Sequence, residues 1–467
     1  MDIMNIINII FKCIFAVFLI YTLVFIAQWL MALVIAVYRF AQYKENCYVN
    51  KTLLSEDIMD QVGISVIIPA YNEENCIIGT VESLLNEDYS NLQIIIVDDG
   101  SKDNMKNLLI KHYDLDQYEQ QTEENIKTEP IRQCYRRIVR GKEILLISKK
   151  NGGKADALNC GLNLCNRKYC VVLDADTKVQ KSSLKTMCSR FLQDKDMIVC
   201  AGVVGDYIYG SDTYKKLSFI RKALVIFQQL EYYRTFYMQR IMFDKINANV
   251  VVSGAFAMFD TELVKKTGGY KVNTIGEDME ITMRLHAFCR SQKKHYHIGY
   301  IPEVKCETQV PFSYKDYYQQ RRRWHIGMIQ SMKEHEYMLG SLHYGGAGLI
   351  SSTFLLFYEL WAPFIEIIGM ITIIMSLFID IVDKEFMWKA ILIYIIFAIF
   401  TQLILVYALN AYKIEKISIG NRISLIFISI FEIIFFHPFN IIIKLGASFK
   451  ARKYRKTWKH LNRMNES

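Results

Sequence analysis

The sequence predicts an α/β domain with a mainly parallel sheet, inserted between transmembrane α-helices. At 467 residues the chain is too long for one ordinary domain, and 52% of its residues are hydrophobic, more than is usual for a soluble enzyme. Apolar runs near both ends enclose a polar body, about 43–344. Within this body, short β-branched segments alternate with helical ones. That alternation is typical of a sheet whose ligand site lies at the carboxyl ends of the strands.

The N-terminal segment is predicted to be a membrane-spanning helix. Residues 13–37 carry no charge, and the run is longer than the roughly 20 apolar residues that cross a bilayer core. A cleaved signal peptide is the alternative, but its apolar core has about 7–15 residues and a small-residue cleavage site follows it. Arg39 and Lys44 follow the run and place the polar body on the cytoplasmic side of the cell membrane. We therefore assign residues 1–45 to an N-terminal transmembrane helix.

Three further apolar runs, 352–379, 388–411 and 423–443, predict a C-terminal transmembrane region over 345–446. Glu359 and Glu366 lie inside the first of these runs, where ionisable groups usually face a bundle interior or a wet path. A position near the membrane interface is the equal alternative for both.

One span before the polar body and three after it would place the C-terminal tail outside, against the positive-inside rule. One segment must therefore be re-entrant, interfacial or split. His437 and Pro438 interrupt the last run and make it the predicted one.

The C-terminal residues 447–467 are predicted to be a basic cytoplasmic tail. The net charge of +9 is concentrated there, directly after an apolar run, which favours contact with anionic lipid over contact with nucleic acid. The eleven cysteines contain no CxxC pair, so neither a zinc site nor a disulfide framework is indicated. The basic residues from the end of the last run onward are Lys444, Lys450, Arg452, Lys453, Arg455, Lys456, Lys459 and Arg463.

The polar body, assigned to 60–340, reads as strands that alternate with helices. Between the first two strands lies a helical stretch, 75–86, and the polar segment 114–141 has no usable periodicity and is predicted to be a surface insertion. The predicted strands are 63–69, 92–97, 143–147 and 169–173.

Acidic residues follow three of these strands. The first strand leads into residues 69–74 (PAYNEE), the second ends in Asp98 and Asp99, and the fourth is followed by Asp174 and Asp176. Such crowding of negative charge at one sheet edge is costly unless a cation compensates it, and Mg²⁺ prefers one or two carboxylates plus substrate phosphates. The alternatives are an ordinary turn with an Asn N-cap for the first motif, and a solvated turn for an isolated DxD.

The segment 149–159 (KKNGGKADALN) lies between the third strand and the fourth. Its glycines allow close backbone approach, and Lys154 stands at the start of a helix, where phosphate oxygens are bound. The segment is not a P-loop, because GxxxxGK[ST] is absent.

These motifs in order, continued by SGAF at 253–256, GED at 276–278 and QRRRW at 320–324, resemble one enzyme family. They resemble the processive family-2 inverting glycosyltransferases with the GT-A (Rossmann-like) fold, such as the synthases of poly-N-acetylglucosamine, cellulose, chitin and hyaluronan. The resemblance covers roughly 64–335.

The resemblance implies a role for each matching residue. Asp278 would be the general base beside Glu277, although both also suit a helix N-terminus. Gly276 stands where the family pattern has threonine, which leaves acceptor contacts open. The implied donor-binding residues are Pro69, Tyr71, Glu73, Asp99, Lys154, Asp174 and Arg323, with Tyr71 and Asp99 at the uracil; the metal ligands for Mg²⁺ or Mn²⁺ are Asp176 and Asp174; the acceptor-binding residues are Gln320, Trp324 and Gly276.

The QRRRW motif has a second interpretation. Residues 314–338 could form a basic amphipathic helix on the membrane surface, with some arginines at lipid phosphates.

The resemblance implies a processive polymerase that uses a UDP-sugar, with UDP-N-acetylglucosamine favoured because segment 228–240 (QQLEYYRTFYMQR) resembles poly-N-acetylglucosamine synthases. The expected partners are the growing glycan, the lipid bilayer and accessory membrane or export proteins, without nucleic acid. Two alternatives stay open. One is a transferase that adds a single sugar to a lipid carrier, and the other is a non-catalytic membrane scaffold.

Overall fold

The structure, a computed structural model, describes residues 3–53, 61–119, 125–208, 211–379, 384–411, 428 and 431–451. The start of the predicted run 423–443 and the basic tail after residue 451 lie outside the described residues.

The described part of the chain contains a mixed sheet of ten strands. The four predicted strands are confirmed, with ends that differ by at most two residues, because each is a buried, mainly aliphatic run. The strands are β1 (Ile64–Ala70), β2 (Leu92–Asp98), β3 (Asp116–Tyr118), β4 (Ile131–Val139), β5 (Lys142–Lys149), β6 (Tyr169–Leu173), β7 (Lys178–Val179), β8 (Met197–Asp206), β9 (Phe256–Asp260) and β10 (His297–Thr308).

The strand order is β3-β4-β5-β2-β1-β6-β9-β8-β10-β7. The pairs β5-β2, β2-β1, β1-β6 and β8-β10 are parallel, whereas β4, β9 and β7 run in the opposite direction to their neighbours. The sheet is therefore mixed rather than mainly parallel. Its centre is parallel, so the acidic ends of β2 and β6 meet at one edge, as expected.

The segment 114–141 is not an irregular insertion. It contributes β3 and β4, which extend the sheet as antiparallel edge strands, and Arg136 on β4 pairs with Glu143 on β5 at 2.7 Å. These edge strands are half exposed and polar, so they lack the apolar alternation by which a strand is recognised in sequence.

Helices cover both faces of the sheet. Alternate residues of β1 enter two separate cores, with Ile67 facing one and Ile64, Val66 and Ile68 facing the other. The helices of the domain are α2 (Ile77–Leu85), α3 (Met105–Tyr113), α4 (Lys154–Leu164), α5 (Ser183–Gln193), α6 (Asp212–Lys216), α7 (Phe219–Arg234), α8 (Arg240–Lys245), α9 (Thr261–Lys266), α10 (Glu277–Ser291) and α11 (Tyr314–Glu334). The helix α11 ends four residues before the predicted end.

Apolar helices pack beside the domain. They are α1 (Ile3–Leu53), α12 (Ala362–Ile379) and α13 (Lys384–Ala411), and α1 contacts both of the others. Among the described residues, one helical segment, Lys12–Tyr38, is both long enough and apolar enough to cross a membrane. The segments Ala347–Leu360 and Ala362–Met375 pass the same test only together, as a pair bent by 46°.

The predicted interruption at His437 and Pro438 marks a change in helix geometry. A π-helical turn, Glu432–Phe436, is followed by α14 (His437–Lys450), which has proline in its first turn. The helix α14 packs along α11, where Tyr317 donates a hydrogen bond to Asn440 at 2.5 Å. The path of this segment relative to a membrane stays a prediction.

Candidate active site

A cavity of about 770 Å³ begins at the carboxyl edge of the sheet and continues between the apolar helices. Its sheet end is lined by residues that follow β5 and β6 and by the first turn of α10. Its other end is lined by residues of α1, α12, α13 and α14. Of the residues predicted from sequence, Lys154, Asp174, Asp176, Gly276, Glu277, Asp278, Gln320, Arg323 and Trp324 line this cavity.

Lys154 joins the two acidic sides of the cavity. Its Nζ lies 2.6 Å from Asp174 Oδ1 and 3.6 Å from Glu277 Oε1. Burial favours the neutral amine, but Asp174, Glu277 and Asp278 outweigh it and raise the pKa of Lys154. Lys154 is therefore held as a cation at the point where the strand ends face α10.

The first turn of α10 carries Glu277 and Asp278 into the cavity. Burial and the neighbouring Asp278 raise the pKa of Glu277, while Lys154 opposes the shift. A methyl group on Gly254 would lie 3.4 Å from both Asp278 Oδ2 and Lys154 Nζ, so both side chains approach this glycine. The lack of a side chain at Gly254 therefore leaves these two groups within reach of one bound molecule.

Asp174 and Asp176 fit a metal that arrives with a nucleotide. Asp176 is buried and accepts a hydrogen bond from Thr308 at 3.1 Å. Over the described residues, no group of three or more His, Cys, Asp or Glu side chains could hold a metal alone. Because Mg²⁺ is commonly bound by one or two carboxylates plus substrate phosphates, two aspartates are a sufficient protein contribution.

Asp99 shapes the glycine loop rather than lining the cavity. Its carboxylate is fully buried and accepts hydrogen bonds from the backbone N–H of Gly152 at 2.9 Å and of Gly153 at 2.7 Å. Lys149, also fully buried, lies 2.8 Å from Asp99 and 2.5 Å from Asp156. This triad fixes the loop that leads into Lys154. Lys149 and Asp156 were not predicted from the sequence. Lys149 ends the buried strand β5, which lies beside the acidic end of β2, and this position was an available signal.

The PAYNEE turn lies beside this loop, outside the cavity lining. Pro69 lies within β1, Tyr71 is partly buried in the turn and Glu73 is buried just before α2. Asn72 adopts a left-handed backbone with φ of 56°, which asparagine tolerates, and its Oδ1 accepts a hydrogen bond from the backbone N–H of Lys102 at 2.7 Å. Asn72 therefore links the turn after β1 to the turn after β2. The interpretation of Asn72 as a helix N-cap is wrong, because Cys76 is the N-cap of α2.

On the other side of the cavity, α11 contributes Gln320, Arg323 and Trp324. Trp324 is 43% exposed. Gly276 also lines the cavity, but a methyl group there would lie 2.7 Å from the carbonyl oxygen of Gly327 in α11. This backbone contact gives a packing reason for glycine at a position where the family pattern has threonine.

Charged residues of α7 and α8 complete the lining and were missed in the sequence. Glu231, Arg234 and Arg240 all line the cavity, and burial lowers the pKa of Arg240. Arg321 lines it as well, paired with Glu231 at 2.6 Å, so this arginine of QRRRW does not reach lipid phosphates. The available signal was the set of charged residues within the otherwise largely apolar and aromatic segment 228–240.

The mixed α/β sheet, with a cavity lined by acidic and basic side chains at its carboxyl edge, fits the GT-A fold of nucleotide-sugar transferases. The chain belongs to glycosyl transferase family group 2, whose model matches residues 169–409, and the model of glycosyl transferase family 2 matches residues 65–268.

Curated relatives include the poly-beta-1,6-N-acetyl-D-glucosamine synthase of Staphylococcus epidermidis, which is 26% identical over 279 residues, 60% of this chain and 58% of that protein. The synthase of the same name from Staphylococcus aureus (strain MSSA476) is 26% identical over 57% of this chain and 54% of that protein. The chain thus spans less than two thirds of these relatives' length. A mannosyltransferase from Pyrobaculum calidifontis, in complex with GDP-Man and Mn²⁺, has a TM-score of 0.51 at 16% identity, covering 83% of this chain and 97% of that one. This likeness shows the shared fold.

Proposed function

We propose that the chain transfers sugar from a UDP-sugar to the growing end of a β-linked polysaccharide, and that the product leaves between the apolar helices. The observation that carries the proposal is the cavity, which runs from Lys154 and Asp174 past Asp278 and Trp324 to Glu366. The names of the staphylococcal relatives support UDP-N-acetylglucosamine as donor and poly-β-N-acetylglucosamine as product. Cellulose-like and hyaluronan-like polymers are the next candidates.

In this proposal the donor binds at the sheet edge. Lys154 and Arg323 hold the diphosphate, since the cationic ammonium and the planar guanidinium both suit phosphate oxygens. Asp174 and Asp176 would hold Mg²⁺ or Mn²⁺, which supplies stabilisation of the negative charge that develops on the departing UDP. The remaining donor residues lie in the turns beside the glycine loop: Tyr71 is assigned to the uracil, Pro69 and Glu73 belong to the segment that carries Tyr71, and Asp99, whose buried carboxylate is bonded to Lys149 and the loop, acts by holding that loop in place.

Asp278 is the proposed general base. It would take the proton of an acceptor hydroxyl as that oxygen attacks the anomeric carbon from the face opposite UDP, so the configuration inverts. Glu277 directly precedes this base in the chain, and its Oε1 lies 3.6 Å from Lys154 Nζ. Its contact with Lys154 supports a role in keeping that cation close to the diphosphate.

The acceptor is proposed to bind on α11 and near Gly276. The Trp324 indole offers an apolar face to a pyranose ring, and Gln320 offers an amide to its hydroxyls. Beyond Trp324 the lining continues with paired polar groups: Lys444 lies 2.6 Å from Glu359, and His437 lies 2.7 Å from Glu366. Polar groups among apolar helices support the wet-path interpretation of both glutamates.

The membrane arrangement belongs to the same proposal. Residues 1–45 and 345–446 would lie in the cell membrane, 60–340 would form the cytoplasmic catalytic domain, and 447–467 would contact anionic lipid. The large apolar side chains exposed on α1 and α13, among them Ile20, Val34 and Ile393, support a lipid surround.

The test uses the purified full chain in lipid nanodiscs, with radiolabelled UDP-sugars supplied one at a time with Mg²⁺. We expect high-molecular-weight product from UDP-N-acetylglucosamine alone. Asp278→Asn should abolish transfer while UDP binding is kept, and Glu262→Gln, an exposed carboxylate on α9, should behave as wild type. Only short or lipid-extractable product would overturn the polymerase and favour addition of one sugar to a lipid carrier. Absence of transfer from every UDP-sugar would overturn the donor assignment.

A further inference from the structure

Three side chains on one face of α11 form a stack. Tyr317, Arg321 and Trp324 are spaced four and three residues apart, which places them over one another on a helix. The guanidinium carbon of Arg321 lies 4.9 Å from the ring centroid of Tyr317 and 4.5 Å from that of Trp324. Both distances are within the range of a cation–π contact. Arg321 therefore touches both aromatic rings.

The stack is fixed from two other helices. Glu231 of α7 holds Arg321 Nη1 at 2.6 Å, and the arginine side chain is only 11% exposed. At the other end, Tyr317 is fully buried and its hydroxyl is bonded to Asn440 of α14. Residue Arg234, one turn after Glu231, pairs with Glu432 and ties α7 to the same region.

Stabilisation of the fold does not by itself explain the buried pair of Arg321 and Glu231. A buried ion pair contributes little net free energy because both ions lose their hydration. Within the described part of the chain, Arg321 Nε and Nη2 and Glu231 Oε2 are also buried without a hydrogen-bond partner, which is unfavourable. The clear structural effect of the pair is the fixed position of the Trp324 ring, which is exposed and lines the cavity.

We propose that Arg321, held by Glu231, is a positioning residue that orients the Trp324 indole and thereby sets the affinity for the acceptor sugar. The inference rests on the proposed function, in which Trp324 binds the acceptor. Arg321 acts through the indole and touches neither the donor nor the reacting atoms. Lysine at this position would keep the charge and could still pair with Glu231, but it lacks the planar group that contacts both rings.

The kinetic test compares Arg321→Lys and Glu231→Gln with Arg322→Lys, a matched change of the next residue, which is not among the described residues of the cavity lining. Transfer is measured with UDP-N-acetylglucosamine and an N-acetylglucosamine oligosaccharide primer, each varied separately. For Arg321→Lys and Glu231→Gln we expect the half-saturating primer concentration to rise about tenfold, as for loss of one desolvated cation–π contact. The half-saturating donor concentration should stay within about twofold, since the donor residues are untouched.

Other outcomes of this assay overturn the proposal. Wild-type primer affinity in Arg321→Lys would show that the planar contact does not matter. An equal change in donor and primer affinity, or the same loss in Arg322→Lys, would show a general disturbance of α11.

A second measurement separates failure of this inference from failure of the proposed function. The tryptophan emission of Trp324 is obtained as the difference between each protein and its Trp324→Phe counterpart, without any sugar present. Arg321→Lys should shift this difference spectrum and increase its quenching by iodide, whereas Arg322→Lys should not. An unchanged spectrum overturns the positioning role even if the chain proves to use another sugar, and a changed spectrum supports that role even if no UDP-sugar is transferred.

Discussion

His297, the first residue of β10, should give the domain a stability that depends on pH. Its Nδ1 lies 2.6 Å from Asp194 Oδ2 just after α5, and its Nε2 lies 3.0 Å from Asp244 Oδ1 in α8. Burial would lower the pKa of His297, but Asp244 and then Asp194 outweigh it and raise the pKa to about 9. The imidazolium therefore ties the sheet to two helices at neutral pH.

The size of the effect follows from this pKa. A tenfold change in proton affinity is about 1.4 kcal/mol, so a rise from 6.5 to about 9 corresponds to roughly 3 kcal/mol of folding free energy. His297 is 25% exposed and Asp194 is 37% exposed, and solvent screening reduces this to about 2 kcal/mol. Because the folded pKa lies above the unfolded one, the stabilisation is complete below pH 6.5. It is lost as the pH rises through about 9.

The assay is thermal unfolding of the full chain in nanodiscs between pH 6 and pH 10, for wild type and His297→Gln. At pH 6 the variant should unfold on the order of 4 °C lower, and the difference should close by about pH 10. Titrations common to both proteins cancel in the comparison. His295→Gln, a neighbouring exposed histidine, is the control and should match wild type throughout. A difference between wild type and His297→Gln that stays constant with pH, or grows as pH rises, would refute the charged-histidine argument.

Three further predictions concern the candidate site. Lys149→Met should lower the free energy of unfolding by about 3–5 kcal/mol and weaken UDP binding, because Asp99 and Asp156 would stay buried without their cation. Unchanged thermal stability, together with unchanged UDP affinity by calorimetry, would contradict this prediction. Gly276→Ala should reduce transfer, since its methyl group would meet the Gly327 carbonyl oxygen, whereas Gly446→Ala, with its nearest contact at 4.0 Å, should retain wild-type transfer; equal rates in the two variants would count against the contact. Chelation by EDTA should stop transfer and added Mn²⁺ or Mg²⁺ should restore it, so full activity in EDTA would remove the metal from the proposal.

The four strands that the sequence predicted are buried on both faces, but burial alone did not make a strand predictable, because β8 and β9 are also largely buried and were not predicted. The run at 169–173 is confirmed at both ends, because a β-branched segment followed by polar residues leaves no other placement. The edge strands β3 and β4 escaped prediction for the opposite reason. They face solvent, their apolar pattern is weak, and what holds β4 to the sheet is pairing with β5, which only the tertiary fold reveals.

The candidate site was predictable where chemistry is encoded in a short motif and unpredictable where it depends on a distant partner. Asp174, Asp278 and Arg323 were selected from local motifs, and the structure brings them to one cavity. Arg321 and Arg322, by contrast, occupy the two variable positions of QxxRW and are equivalent in sequence. Only Glu231, 90 positions away, assigns Arg321 to an interior pair.

The charges along the cavity also bear on how a polymer could move through it. At the sheet end, carboxylates outnumber Lys154, a balance suited to a metal and a diphosphate that come and go with each reaction cycle. Beyond Trp324, Glu359 pairs with Lys444 and Glu366 lies 2.7 Å from His437, so each carboxylate has a polar partner in the lining. A neutral glycan could exchange hydrogen bonds with these side chains. Under the proposed function, binding would be strongest where the donor reacts, and the weaker, replaceable contacts beyond Trp324 would permit repeated forward steps.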